Sequence, residues 1–255
     1  MGATKADIAK YYKEIMRIVA PIIEKVSRAA MQSYKPEAKK QLSDAMQNPD
    51  DFERADQKLK QMMAAFKLEL LVASKKMSKE VFAALEKKQK IQFVKEVNKA
   101  FGVDLASIVS DKGIKEAVLA RVAENSELIT SIPKQYISRV RQALLRGYEV
   151  GRPPVDMRKI IMEIGGITER KAQLIARDQT QKFVSELNQI RQESVGVKSY
   201  IWRTSHDERV RRSHEDNDGK EFRWDDPPAA TGHPGEDVNC RCIAEPNLSE
   251  LKKLL

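Results

Sequence analysis

The feature that most restricts the fold is a set of apolar residues at helical spacing. Ile8, Tyr12, Ile15, Val19, Ile22, Val26 and Ala29 recur at alternating intervals of four and three residues. That interval lays them in one stripe along an α-helix and in no stripe along a strand. Phe52, Ala55, Leu59, Met62, Phe66, Leu70 and Ala73 form a second seam, between Pro49-Asp50-Asp51 and Ser78. Such seams are buried against each other in a helical hairpin or against another subunit, and the intramolecular core is the simpler solution.

The remaining helices follow from the same period and from their breakers. Pro21 is expected to kink or break the first helix, because proline removes a ladder hydrogen bond and crowds the preceding turn. A third helix is expected from Lys79 to Phe101, with Val81, Leu85, Val94 and Val97 on its apolar side and Gly102 at its end. A shorter helix follows Asp104. Gly113 separates it from another running to about Thr130, and Pro133 restarts the chain into a helix through Tyr136, Val140, Leu144 and Leu145. Gly151-Arg152-Pro153-Pro154 stops helix outright, which divides the chain into a helical region 1–150, a second domain 151–246 and a tail 247–255. In the second domain a short helix over 155–164, a Gly165-Gly166 turn and a Thr168 N-cap lead into a long helix ending near Ser194. Two helices joined by a glycine turn invite a DNA-binding helix-turn-helix reading. The length of the second helix, and its face of Ala172, Ile175, Gln179, Phe183 and Leu187, favour structural packing instead.

Charge is distributed unevenly over the 255 residues. Of the formal net charge of +9, residues 1–200 carry +12 and residues 201–255 carry −3. The basic surplus on the helices suits non-specific contact with a polyanion, or simply a solvated lysine-rich surface. Charged residues at 33% and a mean hydropathy of −0.54 fit a water-soluble chain. There is no apolar run long enough to span a membrane and no secretory h-region. Two cysteines one residue apart do not readily close a disulfide on each other, so a cytoplasmic origin is expected.

The chemistry is concentrated in 200–246, which holds all three histidines, both cysteines and both tryptophans. Tyr200-Ile201-Trp202-Arg203-Thr204 reads as a strand. Asp207 to about Glu215 reads as a short helix capped by Ser205 or Asp207, Asn217-Asp218-Gly219 as a turn, Lys220–Trp224 as a second strand and Cys240–Ala244 as a third. The fold class is therefore mainly α with a small α+β C-terminal module carrying a short antiparallel sheet. Cys240 and Cys242, two apart on a strand, share a face. With His214 and His233 they make a donor set for a structural, tetrahedral zinc, with His206 as the alternative ligand. The competing reading is two small buried cysteines and three ordinary polar histidines. His206-Asp207 beside His214 can also be drawn as a metal-dependent nuclease or hydrolase site. There is no nucleophile elbow, phosphate-cradling glycine loop or second carboxylate cluster to complete it. Asp207 is more simply a helix N-cap, and Arg209 and Arg211 are more simply partners of Glu215 or Asp218. No catalytic residue is assigned.

The order of residues in this stretch resembles a known family. Trp202, Thr204, Asp207-x-Arg209-Val210-Arg211-x-x-His214, Asp218-Gly219, the loop with Pro234, and Cys240-Arg241-Cys242 resemble the phage Mu F-like minor head proteins, also called phage head morphogenesis proteins. The helix containing Ala176-Arg177-Asp178-Gln179-Thr180 is similar to the one that precedes the family's core strand, and the likeness covers roughly 150–246. The resemblance implies a minor component of a tailed-phage head, located with the portal protein and needed for functional heads. In that setting the N-terminal helices are expected to dock on portal, major capsid or scaffolding protein, the basic surplus is compatible with non-specific contact with packaged DNA, and with no apolar run of spanning length no membrane partner is expected. Some relatives carry a toxin or enzyme domain after the motif. None is expected here, since the sequence stops at Leu255.

Overall fold

In the computed structural model, residues 2–34, 49–101, 109, 111–247 and 249 are described. Four long helices, α1 (Lys5–Ser33), α2 (Pro49–Phe101), α3 (Ile114–Glu149) and α4 (Pro154–Ser194), precede a small module. The module comprises β1 (Ser199–Arg203), a single turn of helix α5 (Arg212–Glu215), β2 (Glu221–Arg223) and β3 (Ile243–Pro246). The expected class, mainly α with a three-stranded antiparallel sheet near the C-terminus, is the observed one. The helix expected after Asp104 and most of the tail 247–255 lie outside the described residues.

Among the described residues, the helices are fewer and longer than the breakers suggest. Pro21 and Pro133 both sit inside continuous helices. Gly165 and Gly166 lie within α4, and nothing separates Ala73 from Lys79 in α2. A proline costs one helical hydrogen bond, but burial on either side more than replaces it. Val19, Ile22 and Val26 flank Pro21, and Ile129, Ile132, Tyr136 and Ile137 flank Pro133, all buried. Thr168 is not an N-cap. Its hydroxyl donates to the Ile164 carbonyl one turn back, 2.8 Å away, from within an unbroken helix. The turn required by a helix-turn-helix is therefore absent.

The true ends have specific chemistry. Thr4 and Asp7 cap α1 reciprocally. Thr4 N–H donates to Asp7 Oδ2 at 3.1 Å and Asp7 N–H to Thr4 Oγ1 at 3.2 Å. α3 ends on Gly151 at φ +60, with Arg152 N–H on the Gly147 carbonyl and Gly151 N–H on the Tyr148 carbonyl. α4 ends the same way at Gly196, φ +85, with Val197 N–H on Gln192 and Gly196 N–H on Glu193. This paired closure needs a left-handed residue, which glycine supplies without steric cost.

The chain forms two compact units, 1–11 with 78–124 and 176–255, and 12–77 with 125–175. The break at 150–153 lies inside the second. That unit is organised by the two predicted seams together with α3 and α4: Ile22, Val26, Leu59, Leu70, Val140, Leu144 and Met157 form one core. In the first unit, Tyr11, Phe82 and Phe183 stack in sequence, with centroids 5.4 and 4.8 Å apart. The predicted face of the last helix is buried, with Gln179 at 2% and Phe183 and Leu187 at 0% exposure. α4 also grips the sheet, since Asn188 and Gln192 both donate to the Ala244 carbonyl, at 2.8 and 2.9 Å.

Candidate metal centre

β1 is the middle strand of the sheet, antiparallel to β2 on one side and to β3 on the other. Strand alternation puts Tyr200 and Trp202 on one face. With Phe222, Trp224, Ala244, Cys240 and Cys242 they form the core of the module. The cysteines precede the third strand instead of lying on it: β3 starts at Ile243. The region 235–240 turns too tightly for a ladder, with Gly235 at φ +96 and Asn239 at φ +59. Both thiols nevertheless point into the same buried space.

His214 meets them there. The predicted helix 207–215 is reduced to α5, so His214 sits on a single helical turn and is 2% exposed. Its Nδ1 lies 3.5 Å from Cys240 Sγ and 3.5 Å from Cys242 Sγ. All three donor atoms lie within 4.8 Å of one another. Zinc–sulfur and zinc–nitrogen bonds of about 2.3 and 2.05 Å, at the tetrahedral angle, place S and N about 3.6 Å apart. The observed nitrogen–sulfur separations match that edge, so the residues fit a zinc ion. The trio supplies three donors, leaving one corner of the tetrahedron for a further ligand.

The electrostatics favour a thiolate. The Cys240 thiol is held below its ordinary value, first by the hydrogen bond from Cys242. Burial opposes this, and the N–H groups of Gly235 and Cys242 and the nearby His214 support it. Cys242 is pushed up by donating that same bond, by burial and by the Cys240 charge. Gly235 N–H reaches Cys240 Sγ at 3.3 Å. The edge of Trp202 faces the His214 ring, with centroids 5.4 Å apart and planes at 87°.

His233 and His206 do not join the cluster. His233 Nδ1 is 3.0 Å from the Tyr200 hydroxyl, and its ring packs on Trp224 at 5.1 Å. With Trp224 and Gly235 it lines a separate polar cavity of 380 Å³. His206 is exposed at φ +50, beside Thr204 and Asp218. What holds His214 instead is a residue outside the motif. Asp237 Oδ2 lies 2.9 Å from His214 Nε2. Its only sequence signal is a carboxylate three residues before a candidate ligand. Asp178 also acquires a role. It is buried, accepts the Asn239 N–H at 2.9 Å and pairs with Lys182 at 3.1 Å, fixing the turn that carries Cys240.

The other motif residues are spent on scaffolding. Asp207 does not cap α5, whose N-cap is Arg211 without a side-chain bond. Asp207 Oδ1 takes the Arg209 N–H at 2.9 Å, and its carboxylate is clamped by both terminal nitrogens of Arg241. The Arg209 N–H and then Arg241 hold this carboxyl below the ordinary range. Arg211 reaches the Val238 carbonyl at 2.7 Å and Asp237 at 3.4 Å, and neither Glu215 nor Asp218 as expected. Asp218 accepts the Thr204 N–H at 2.8 Å. Gly219, at φ +75, donates its N–H to the Trp202 carbonyl. His206 and Asp207 therefore do not converge with His214 on one point, as the nuclease drawing required.

Residues 138–245 match the family described as Phage Mu protein F like protein, the family that the motif resembles. The match begins within α3, ahead of the Gly151-Pro154 break. A curated relative, an uncharacterized protein of Haemophilus influenzae, is 41% identical over 155 residues. The alignment covers 60% of this chain and 35% of the relative, so the chain spans about a third of that protein's length. No solved structure matches the chain.

Proposed function

We propose, from the Phage Mu protein F like segment over 138–245, that this chain is a head-morphogenesis protein of a tailed bacteriophage. In this reading it is a minor capsid component, present in the virion near the portal vertex and required for functional heads. The family match carries the reading. Two features support it. The polar and charged motif residues of the module are consumed in internal bonds, with Asp207 on Arg241, Asp218 on Thr204 and Arg211 on the 235–240 turn. The helical remainder exposes Leu68, Val72, Ile91, Leu119, Val155 and Met162, apolar side chains that portal, capsid or scaffolding subunits could cover. The +12 charge of residues 1–200 is compatible with non-specific contact to packaged DNA.

Zinc, held by His214, Cys240 and Cys242, is the cofactor proposed for the module. When bound it supplies cross-linking instead of reactivity. It ties α5 to the chain before β3 in a unit whose sheet has only three short strands.

Co-expression with the portal protein of the same phage tests the reading, together with assay of purified heads. Co-purification with portal rings and presence in finished heads is the expected result. Divalent-metal-dependent nicking of DNA, with absence from heads and their precursors, would replace it with a nuclease acting on phage DNA.

A further inference from the structure

We infer that Asp237 is the positioning residue of the metal centre, fixing His214 as the Nε2–H tautomer so that the Nδ1 lone pair is directed at the metal. The inference rests on the zinc reading above and deepens it by naming a residue that does not touch the ion.

The geometry is specific to one ring nitrogen. His214 is buried and has two nitrogens with different neighbours: Nε2 has a carboxylate oxygen at 2.9 Å, and Nδ1 has two sulfurs at 3.5 Å. A carboxylate accepts and does not donate, so Nε2 must carry the proton in that bond. A neutral imidazole with its proton there has its lone pair at Nδ1. A histidine ligand that donates its other N–H to a carboxylate recurs at metal sites, where it fixes ring orientation and raises ligand basicity.

The position of Asp237 couples the two ligand-bearing segments. Its side chain holds His214, and its backbone carbonyl accepts the Cys240 N–H at 3.0 Å. Arg211, just ahead of α5, binds the next carbonyl in the turn, that of Val238, at 2.7 Å. Asp178 holds the Asn239 N–H from the α4 side. One turn therefore presents a thiolate ligand and orients the imidazole ligand together. The competing role for Asp237 is a surface ion pair with Arg211, but that contact is long, 3.4 Å, and both groups are nearly half exposed. Such pairs contribute little.

The test is zinc affinity by chelator competition on the 255-residue chain, for wild type, Asp237→Ala and Asp237→Asn. It is paired with two-bond 1H–15N correlation of the histidine rings. Removing an outer-shell carboxylate of this kind weakens metal binding by about 10–100-fold. Asp237→Ala is expected to show that loss and a mixed His214 tautomer. Asp237→Asn, whose amide oxygen still accepts, is expected to keep the tautomer and recover most of the affinity. Wild-type affinity and tautomer in Asp237→Ala overturn the inference while leaving the zinc site standing. Absence of zinc binding by the wild type overturns the zinc reading itself, and the inference with it.

Discussion

Replacing Gly235 by alanine tests how the turn that carries Cys240 is packed against α4. Gly235 has φ +96, and a Cβ there would lie 2.1 Å from Ser185 Oγ and 2.6 Å from Ser185 Cβ. The hydroxyl can rotate away, but the Ser185 Cβ is fixed to α4, so the 235–240 turn must lift. A left-handed backbone costs an L residue about 1–2 kcal/mol. Forcing an extra methyl into a filled contact costs about 1–3 kcal/mol. Together they predict destabilisation of about 2–5 kcal/mol. The natural probe is tryptophan emission during urea unfolding, because both tryptophans of the chain, Trp202 and Trp224, lie in the module core. At a slope of about 1–3 kcal/mol per molar urea, the midpoint should fall by roughly 1 M or more. Gly165→Ala is the control: a Cβ there meets nothing within 4 Å and the backbone is helical, so stability should rise by about 0.5–1 kcal/mol. A Gly235→Ala protein unfolding at the wild-type midpoint would refute the reasoning, because the turn would then have room that the structure denies it.

Further perturbations read out other parts of the fold. Gly147→Ala places a Cβ 2.2 Å from Met157 Cε and 2.8 Å from the Tyr34 hydroxyl. The methionine end can yield, so a loss of about 1–3 kcal/mol in thermal unfolding is expected. Asp56 supplies a pH test. Burial raises its carboxyl, but hydrogen bonds and charge from Arg141 and Lys60 outweigh this and hold it below 3.8. A carboxyl lowered in the folded state contributes stability that is present above about pH 4 and lost as pH falls through its folded value. Asp56→Asn should therefore destabilise the protein at neutral pH by about 1.5–3 kcal/mol. It should also flatten the decline in stability below pH 4; equal acid sensitivity in wild type and variant would contradict this. Asp178→Ala removes the acceptor of the Asn239 N–H and should loosen the cysteine turn. Chelator-accessible zinc should then be released faster than from wild type, in a stopped-flow measurement.

The helical seams and the cysteine pair were legible in the sequence because their signals are local. A four-three spacing specifies a face wherever the rest of the chain lies, and Leu59, Leu70, Val19 and Val26 are buried as that spacing requires. The breakers misled for the opposite reason. Pro21, Pro133 and Gly165 have local costs of one to a few kcal/mol, and whether a helix survives them depends on packing that one segment does not reveal. Glycine closures at 151 and 196 succeeded where the residues beyond leave the helix as well. At the candidate metal site, the donor types in the sequence single out His214, Cys240 and Cys242, and the structure brings these three together. His233 offers the same donor chemistry, and its local sequence does not distinguish it from a ligand. The structure gives that imidazole to Tyr200 and puts Asp237 behind His214, a contact between residues 23 positions apart.

Everything specific to the module turns on whether the buried His214–Cys240–Cys242 trio holds a metal. Elemental analysis of the purified, reduced full-length protein, set beside Cys240→Ser and Cys242→Ser, asks this directly. The account predicts one tightly held zinc per chain in the unmodified protein and its loss from both variants. Unmodified protein free of zinc, and unchanged in unfolding midpoint when zinc is supplied, would contradict it.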